Sequence, residues 1–393
     1  MPSKKSTAAA KSAHRPKSIL FHSDASDPDM LYFSRFTAFD PYFAFSIGKK
    51  KIAIAPDMEA NRMAEESCFD EILLLSEIRD GAAKRFKLPA GQIPDSCQLV
   101  RHIAALHRIS GFTVAPRFPA GLAFELRDAG IHIDIAPADG IFPQRLIKTP
   151  DEVEALRKGN RASAAGFRAV AKTLAESKIK RGQLVHDGKI LTSQRLHEII
   201  SIAALAEGAV ALHTIAAGGD QACDCHNAGS GPIRAGELIV VDIFPQRPSD
   251  GYWGDMTRTF LKGKASDGQK RLVRTVKKAH AMTLDMIKPG VVGSKVHHAV
   301  EDFFTAEGYE TSRAKGDMKG FFHSLGHGVG LQVHEAPNIG LKGTWRFKKG
   351  MVVTTEPGLY YRGLGGVRIE DMLHLVPGGN EPISKAPYKW QFA

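Results

Sequence analysis

The tightest constraint on this chain lies in the eight residues 237–244, ELIVVDIF. Beyond its first acid the run is apolar without alternation, the pattern of a strand buried on both faces. Asp242 lies inside it. A lone ionised carboxylate there would cost several kcal/mol unless paired or bound to a metal. Three more acids sit in similar company. Asp255 follows in GYWGDMTRTF, where Pro248, Ser249, Asp250 and the glycines predict a hairpin loop. Glu356 closes the apolar run MVVTTEPG, and in VRIEDML strand alternation puts Glu370 on the face of Arg368. Taken singly, each acid has an ordinary explanation as a solvated or salt-bridged strand end. Together, with three embedded in apolar strands, they carry a charge of −4. One divalent cation would leave −2 in a medium of low dielectric, whereas two would neutralise the set.

A second segment, HSLGHGVGLQVHE over 323–335, spaces three histidines four and then seven residues apart. Gly326, Gly328 and Gly330 argue against a helix, each costing about 1 kcal/mol relative to alanine in a helix interior. In a continuous strand His327 and His334 would point to opposite faces, because their separation is odd. Irregular backbone is therefore expected. Carboxylates with one imidazole suit Mn²⁺, Co²⁺, Fe²⁺ or Zn²⁺ better than Ca²⁺, which prefers all-oxygen cages.

At 393 residues and 43% apolar content the chain can build two cores. Residues 19–147 alternate strand and helix patterns: strands on either side of a turn in FAFSIGKKKIAIAP, a helix in CQLVRHIAALHRI, the strand FTVAP, a helix near AGLAFELRDAG, and the strand IHIDIAP. A fresh start follows, with Thr149 as N-cap, Pro150 at the first helical position, and Asp151 and Glu152 in the first turn. This places a domain boundary near 148. Beyond it, helices are expected up to about 207, around 265–288 and over 294–308, alternating with the strand-like runs ELIVVDIF, GMVVTTEPG and GGVRIEDMLHL. Cys68, Cys97, Cys223 and Cys225 form neither a disulfide framework nor a zinc ribbon, and Cys223 and Cys225 read as small buried residues. The cysteine usage points to a reducing compartment, so a cytoplasmic location is expected. No stretch approaches the roughly 20 apolar residues of a membrane span. Residues 1–18 read as a disordered basic tail carrying Lys4, Lys5, Lys11, Arg15 and Lys17. The remainder of the +11 net charge is too dilute to argue for specific nucleic-acid binding.

The ordered set Asp242, Asp255, His327, Glu356, Glu370 resembles the five-ligand metal site of the pita-bread (M24-type) metallopeptidases, which include methionine aminopeptidase, Xaa-Pro aminopeptidase (aminopeptidase P) and prolidase (Xaa-Pro dipeptidase). VVD, GDMTRTF, HSLGHGVGLQVHE, TTEPGLY and GGVRIED carry the resemblance from about 149 onward. SDPDMLYFSRFTAFDPYF is similar to the creatinase-type N-domain of the Xaa-Pro members. The resemblance implies an α/β creatinase-like domain over 19–148 followed by an α+β pita-bread metallopeptidase domain over 149–393. It also implies a homodimer and two divalent ions, Mn²⁺ foremost. Asp242 would chelate one ion, Asp255 and Glu370 would bridge both, and His327 and Glu356 would hold the other. Glu356 would be the general base, His226 and His334 would assist the reacting carbonyl, His323 would line the substrate side, and Arg368 would orient Asp242 or Glu370 from behind. On this reading the glycines let the backbone pass close to the metals.

Three departures from the family pattern matter. Asp242 and Asp255 are thirteen positions apart, two more than expected. Phe244 and Pro245 replace the usual small residue after the first Asp. Asn338 stands four residues after His334, where prolidases carry an arginine that grips the dipeptide carboxylate, with Arg346 and Arg362 as candidate substitutes. The expected activity is therefore Xaa-Pro aminopeptidase, acting on a peptide with proline at its second position. The alternatives are Xaa-Pro dipeptidase or a creatinase-like hydrolase. A non-catalytic binding module fits less well, because all five ligands are present. His197 and His334 each begin an HE pair but lack the second histidine of the HExxH zinc motif.

Overall fold

The computed structural model describes residues 18–138, 140–386 and 388–393. The tail expected over 1–18 lies outside the described residues, Ser18 excepted. The chain forms two compact units, Met1–Pro143 and Gln144–Ala393.

In the first unit the strands β1 (Ser18–Ser23), β2 (Tyr42–Ile47), β3 (Lys50–Ala55), β4 (Glu71–Leu74), β5 (Gly111–Val114) and β6 (His132–Ile135) make one sheet in the order β4-β3-β2-β1-β5-β6. The β2–β3 hairpin turns through Gly48 at φ +60°. Helices α1 (Pro28–Ser34), α2 (Ala60–Glu66), α3 (Leu75–Phe86), α4 (Ser96–Leu106) and α5 (Ala120–Asp128) complete an α/β unit. A capping box between Asp95 and Gln98 starts α4.

The second unit opens with the 27-residue helix α6 (Pro150–Glu176). Thr149 Oγ1 accepts from the Glu152 N–H at 3.3 Å, and Glu152 Oε2 accepts from the Thr149 N–H at 2.8 Å, the reciprocal cap expected there. A small sheet, β7 (Lys178–Lys180), β8 (Gln183–His186) and β9 (Lys189–Ile190), leads to α7 (Ser193–Ala206). Next come β10 (Ile215–Gly218), β11 (Leu238–Ile243), β12 (Met256–Lys262), α8 (Asp267–Met286), α9 (Gly293–Ala306) and the hairpin β13 (Ser312–Ala314)–β14 (Asp317–Lys319). The chain ends with β15 (Gly326–Gly328), β16 (Glu335–Ile339), β17 (Val352–Thr355), β18 (Gly358–Tyr361), β19 (Gly365–Arg368), β20 (Asp371–Val376), β21 (Gly379–Pro382) and β22 (Gln391–Phe392). Two sheets dominate, β10-β11-β12-β22 and β16-β15-β17-β20-β21. Among the described residues no helix is long and apolar enough to cross a membrane.

Side-chain parity decides what these sheets show to each other. Ile239, Val241 and Ile243 of β11 pack with Phe167 and Val170 of α6 and Ile200 of α7. Asp242 therefore points to the opposite face, away from that helix pair. Val353 of β17 packs with Val276 of α8 and Val300 of α9, and Thr355 Oγ1 hydrogen-bonds Thr283 of α8 at 2.8 Å. Thr354, and Glu356 one residue beyond the strand, take the other face.

GGVRIEDMLHL, expected as one strand-like run, divides into β19 and β20, which belong to different sheets. Glu370 falls in the break, so strand alternation does not govern its direction. The cause is local to β12: the Glu370 N–H donates to the Thr257 carbonyl at 3.1 Å, and Arg258 Nη1 donates to the Glu370 carbonyl at 2.6 Å. Glu356 likewise lies just past β17, so of the three acids expected inside strands only Asp242 is. Cys223 is buried as expected, but Cys225 is only half-buried and Cys68 is exposed.

Helix α6 also sets the position of Asp255. Gly159 packs directly on Gly254: a Cβ on Gly159 would lie 2.5 Å from the Gly254 nitrogen. Asn160, 1% exposed, then accepts the Asp255 N–H through Oδ1 at 3.0 Å. Gly159→Ala gains about 1 kcal/mol of helix propensity but meets backbone that cannot yield. The expected net result is a loss of about 1–3 kcal/mol from overpacking, read as a lower denaturation midpoint.

Candidate metal centre

The β11–β12 hairpin supplies the first two acids. Asp242 stands opposite Thr257 in the ladder, and Asp255 immediately precedes β12. Asp242 Oδ2 accepts from Arg368 Nη2 at 2.7 Å, while its Oδ1 is buried without a hydrogen-bond partner among the described residues. Glu370 Oε2 accepts from the Thr257 hydroxyl at 2.8 Å. The Glu356 N–H donates to the Leu325 carbonyl at 2.8 Å, which ties that acid to the histidine segment. His327 Nε2 lies 3.4 Å from Glu356 Oε1 and 3.7 Å from Asp255 Oδ2. One donor atom each from Asp255, His327 and Glu370 lie within 4.8 Å of one another.

The imidazole of His327 is oriented from behind. Its Nδ1 is 3.2 Å from the Gly328 carbonyl, so Nδ1 carries the proton and Nε2 faces the acids. The backbone here is irregular, with a register shift between His327 and Gly328. The glycines allow neighbouring groups to approach the segment closely. A Cβ on Gly326 would lie 2.3 Å from the Thr354 carbonyl oxygen, one on Gly328 2.1 Å from that of Ala336, and one on Gly330 2.4 Å from Glu335 Oε1.

Burial pushes Asp255 and Glu370 well above the usual carboxylate range, and the neighbouring acids push further in the same direction; His327 opposes this at Asp255 and Arg368 at both. Burial raises Asp242 as well, against the pull of Arg368. Burial would also raise Glu356, but the hydrogen bond and charge of His327, with His323 and Arg368, outweigh it and hold Glu356 at about 2. His327 moves the other way: burial opposes its charge, yet Glu356 and Asp255 lift it to about 9. An orphaned carboxylate oxygen, crowded acids and one imidazole nitrogen aimed at them fit a divalent cation.

A chain of hydrogen bonds runs outward from Asp242. Arg368, 3% exposed, also donates from Nη1 to the Tyr360 hydroxyl oxygen at 3.0 Å and from Nε to Thr257 Oγ1 at 3.2 Å. Tyr360 in turn meets His323 Nε2 at 3.0 Å, while His323 Nδ1 lies 2.7 Å from the Ser324 carbonyl. Since Nδ1–H must serve that carbonyl, Nε2 accepts and the tyrosine donates. Burial lowers the His323 pKa and keeps this tautomer neutral. The His334 ring stands edge-on to His327, with centroids 4.3 Å apart. His226, by contrast, is exposed.

The two candidate arginines are engaged elsewhere. Arg346 donates to the Gly290 carbonyl, and Arg362 pairs with exposed Asp224. Asn338 meets Ser324 Oγ at 3.4 Å. No linear signal marks Thr257, Tyr360, Asn160 or Arg258 as part of the site. Thr257, Arg258 and Tyr360 stand inside the motifs GDMTRTF and TTEPGLY, but nothing linear tells that their side chains meet Glu370 and Arg368.

Residues 154–377 match metallopeptidase family M24. The chain belongs to metallopeptidase family M24. Two relatives illustrate the likeness. It is 38% identical over 155 residues to an uncharacterised peptidase of Bacillus subtilis, covering 39% of this chain and 41% of the relative. It is 30% identical over 248 residues to an Xaa-Pro dipeptidase of Pyrococcus furiosus, covering 63% of this chain and 65% of that one. Both alignments thus span less than two thirds of the relative. The fold matches over a longer stretch: an Xaa-Pro dipeptidase from Bacillus anthracis superposes with a TM-score of 0.78 at 23% identity, over 96% of this chain and 95% of the other. The second unit has the pita-bread fold, and membership of M24 implies divalent metal ions.

In a member of M24 carrying these shifts, cation binding must expel protons from His327 and from the acids held protonated by burial. Calorimetric titration of the metal-free protein with Mn²⁺ near pH 6.5, in buffers of different ionisation enthalpy, is expected to reveal net proton release. The apparent affinity is expected to fall as pH drops from 8 to 6. Binding without proton exchange would contradict these charge states.

Proposed function

We propose that this chain is an Xaa-Pro peptidase that uses two divalent cations, Mn²⁺ foremost, to hydrolyse the peptide bond ahead of proline. The observation that supports this reading is the grouping of Asp255, His327 and Glu370 within 4.8 Å, with Glu356 3.4 Å from His327 and Asp242 Oδ1 buried without a hydrogen-bond partner among the described residues, in a member of M24. Those five residues would hold the cations. When bound, the cations supply Lewis acidity toward the scissile carbonyl and a water acidic enough to attack at neutral pH.

The remaining steps fall to the chain's own groups. Glu356 takes a proton from the attacking water and passes it to the proline nitrogen as the carbon–nitrogen bond breaks. His334 and His226 donate hydrogen bonds to the carbonyl oxygen as negative charge develops on it. Burial lowers the His334 pKa, so its imidazole offers one N–H rather than a full charge. Arg368 holds Asp242 at 2.7 Å and, through Tyr360, aligns His323 on the substrate side.

Two Xaa-Pro activities compete. The Pyrococcus furiosus relative is named an Xaa-Pro dipeptidase, which supports the dipeptidase over the aminopeptidase expected from sequence. Asn338 favours the aminopeptidase, because an amide replaces the arginine that would grip a dipeptide carboxylate. One digest separates them: Mn²⁺-loaded protein with Xaa-Pro dipeptides, Xaa-Pro-Xaa tripeptides and Met-Ala-initiated controls, read by mass spectrometry. The dipeptidase reading expects cleavage of the dipeptides with tripeptides spared, and the reverse pattern establishes the aminopeptidase. Silence on both sets with metal bound would overturn the Xaa-Pro assignment.

A further inference from the structure

The residue after His334 is anchored more heavily than a loop acid requires. Glu335 opens β16, and its side chain is 9% exposed. Arg145 Nη2 donates to Glu335 Oε2 at 2.8 Å, and Lys148 Nζ donates to Oε1. These cations are themselves 10% and 2% exposed. Arg145 also reaches Gln332 Oε1 at 3.3 Å, and Lys148 Nζ donates to the Arg145 carbonyl at 2.6 Å. The Lys148 N–H binds the Gly350 carbonyl at 2.7 Å, so the clamp is fixed to the body of the second unit. Trp253, two residues before Asp255, holds the same segment: its N–H donates to the Gly330 carbonyl and its indole N–H to the Leu331 carbonyl, both at 3.2 Å. Gly330 leaves room for the Glu335 carboxylate, which a side chain there would strike.

Withdrawing two cations and a carboxylate from water is costly before pairing, and apolar packing would close an ordinary loop without that cost. The arrangement makes sense if the direction of the segment matters more than its stability. We propose that Glu335, gripped by Arg145 and Lys148, is a positioning residue that fixes segment 329–335 and thereby holds the His334 imidazole edge-on to His327. The inference rests on the peptidase reading for its catalytic consequence: the clamp acts through His334 and sets where its donor N–H meets the substrate carbonyl. It adds to that reading a role for residues that hold neither metal nor substrate.

Glu335→Gln keeps the side-chain shape and removes the charge. Hydrogen exchange on the full-length protein is expected to show faster exchange confined to 329–335, with and without Mn²⁺. On the cleaved Xaa-Pro substrate, kcat is expected to fall about tenfold or more at unchanged metal content, as for other groups that orient a site from behind. In a His334→Ala background the same substitution is expected to cost nothing further, an outcome that a merely structural role would not give. Lys148→Gln is expected to reproduce the local exchange change and serves if Glu335→Gln does not fold. Wild-type exchange in a folded variant, or an undiminished further loss of kcat in the His334→Ala background, overturns the proposal. If the unaltered protein cleaves no Xaa-Pro peptide, the functional reading fails, while exchange still decides whether the clamp fixes the loop.

Discussion

Four carboxylates, Asp242, Asp255, Glu356 and Glu370, share one buried region with the imidazole of His327 and the guanidinium of Arg368. Like charges about 4 Å apart repel by about 4 kcal/mol at an effective dielectric of 20. Were all four ionised at once, such repulsion would be comparable to a large part of a domain's net stability, usually about 5–15 kcal/mol. Instead burial holds Asp255 and Glu370 well above the usual carboxylate range, while Arg368 pairs with Asp242 and His327 with Glu356. Much of the surrounding architecture restrains the cluster. The β11–β12 register, the break between β19 and β20, and the Gly159–Gly254 contact each fix the backbone of an acid that would otherwise move away from its neighbours.

The charge distribution also divides the acids by task. Glu356 is held low by His327, whereas Asp255 and Glu370 are held high by burial and by one another. Environments that drive like groups apart in this way are typical of sites built for chemistry. Asp242 is the exception in its surroundings, since Arg368 balances one of its oxygens and leaves the other open. The same arginine reaches Tyr360 and, through it, His323, so one buried cation links an acid of the cluster to a histidine on the substrate side.

Much of this was legible in the chain itself. An aspartate inside LIVVDI is too costly to be incidental, and the Thr149–Pro150 start of α6 follows from local capping chemistry. What escaped was long-range. Strand alternation predicts a strand face for Glu370, yet Arg258 and Thr257 pull its backbone out of the ladder toward β12, and no local pattern encodes that tertiary contact. The glycines of the histidine segment signalled close approach, but the approaching groups, the carbonyls of Thr354 and Ala336 and the carboxylate of Glu335, come from neighbouring strands. Nothing local marks Arg145 and Lys148, because the carboxylate they grip lies some 190 residues away.

Metal stoichiometry tests the central claim most directly. The protein would be equilibrated with Mn²⁺, freed of unbound ion by gel filtration, and measured by inductively coupled plasma mass spectrometry beside Asp255→Ala. Two ions per chain are expected for the unaltered protein, and one or fewer for the variant with its fold retained. A single ion or none in the unaltered chain, or two retained after Asp255→Ala, would contradict a dinuclear centre built on these five residues.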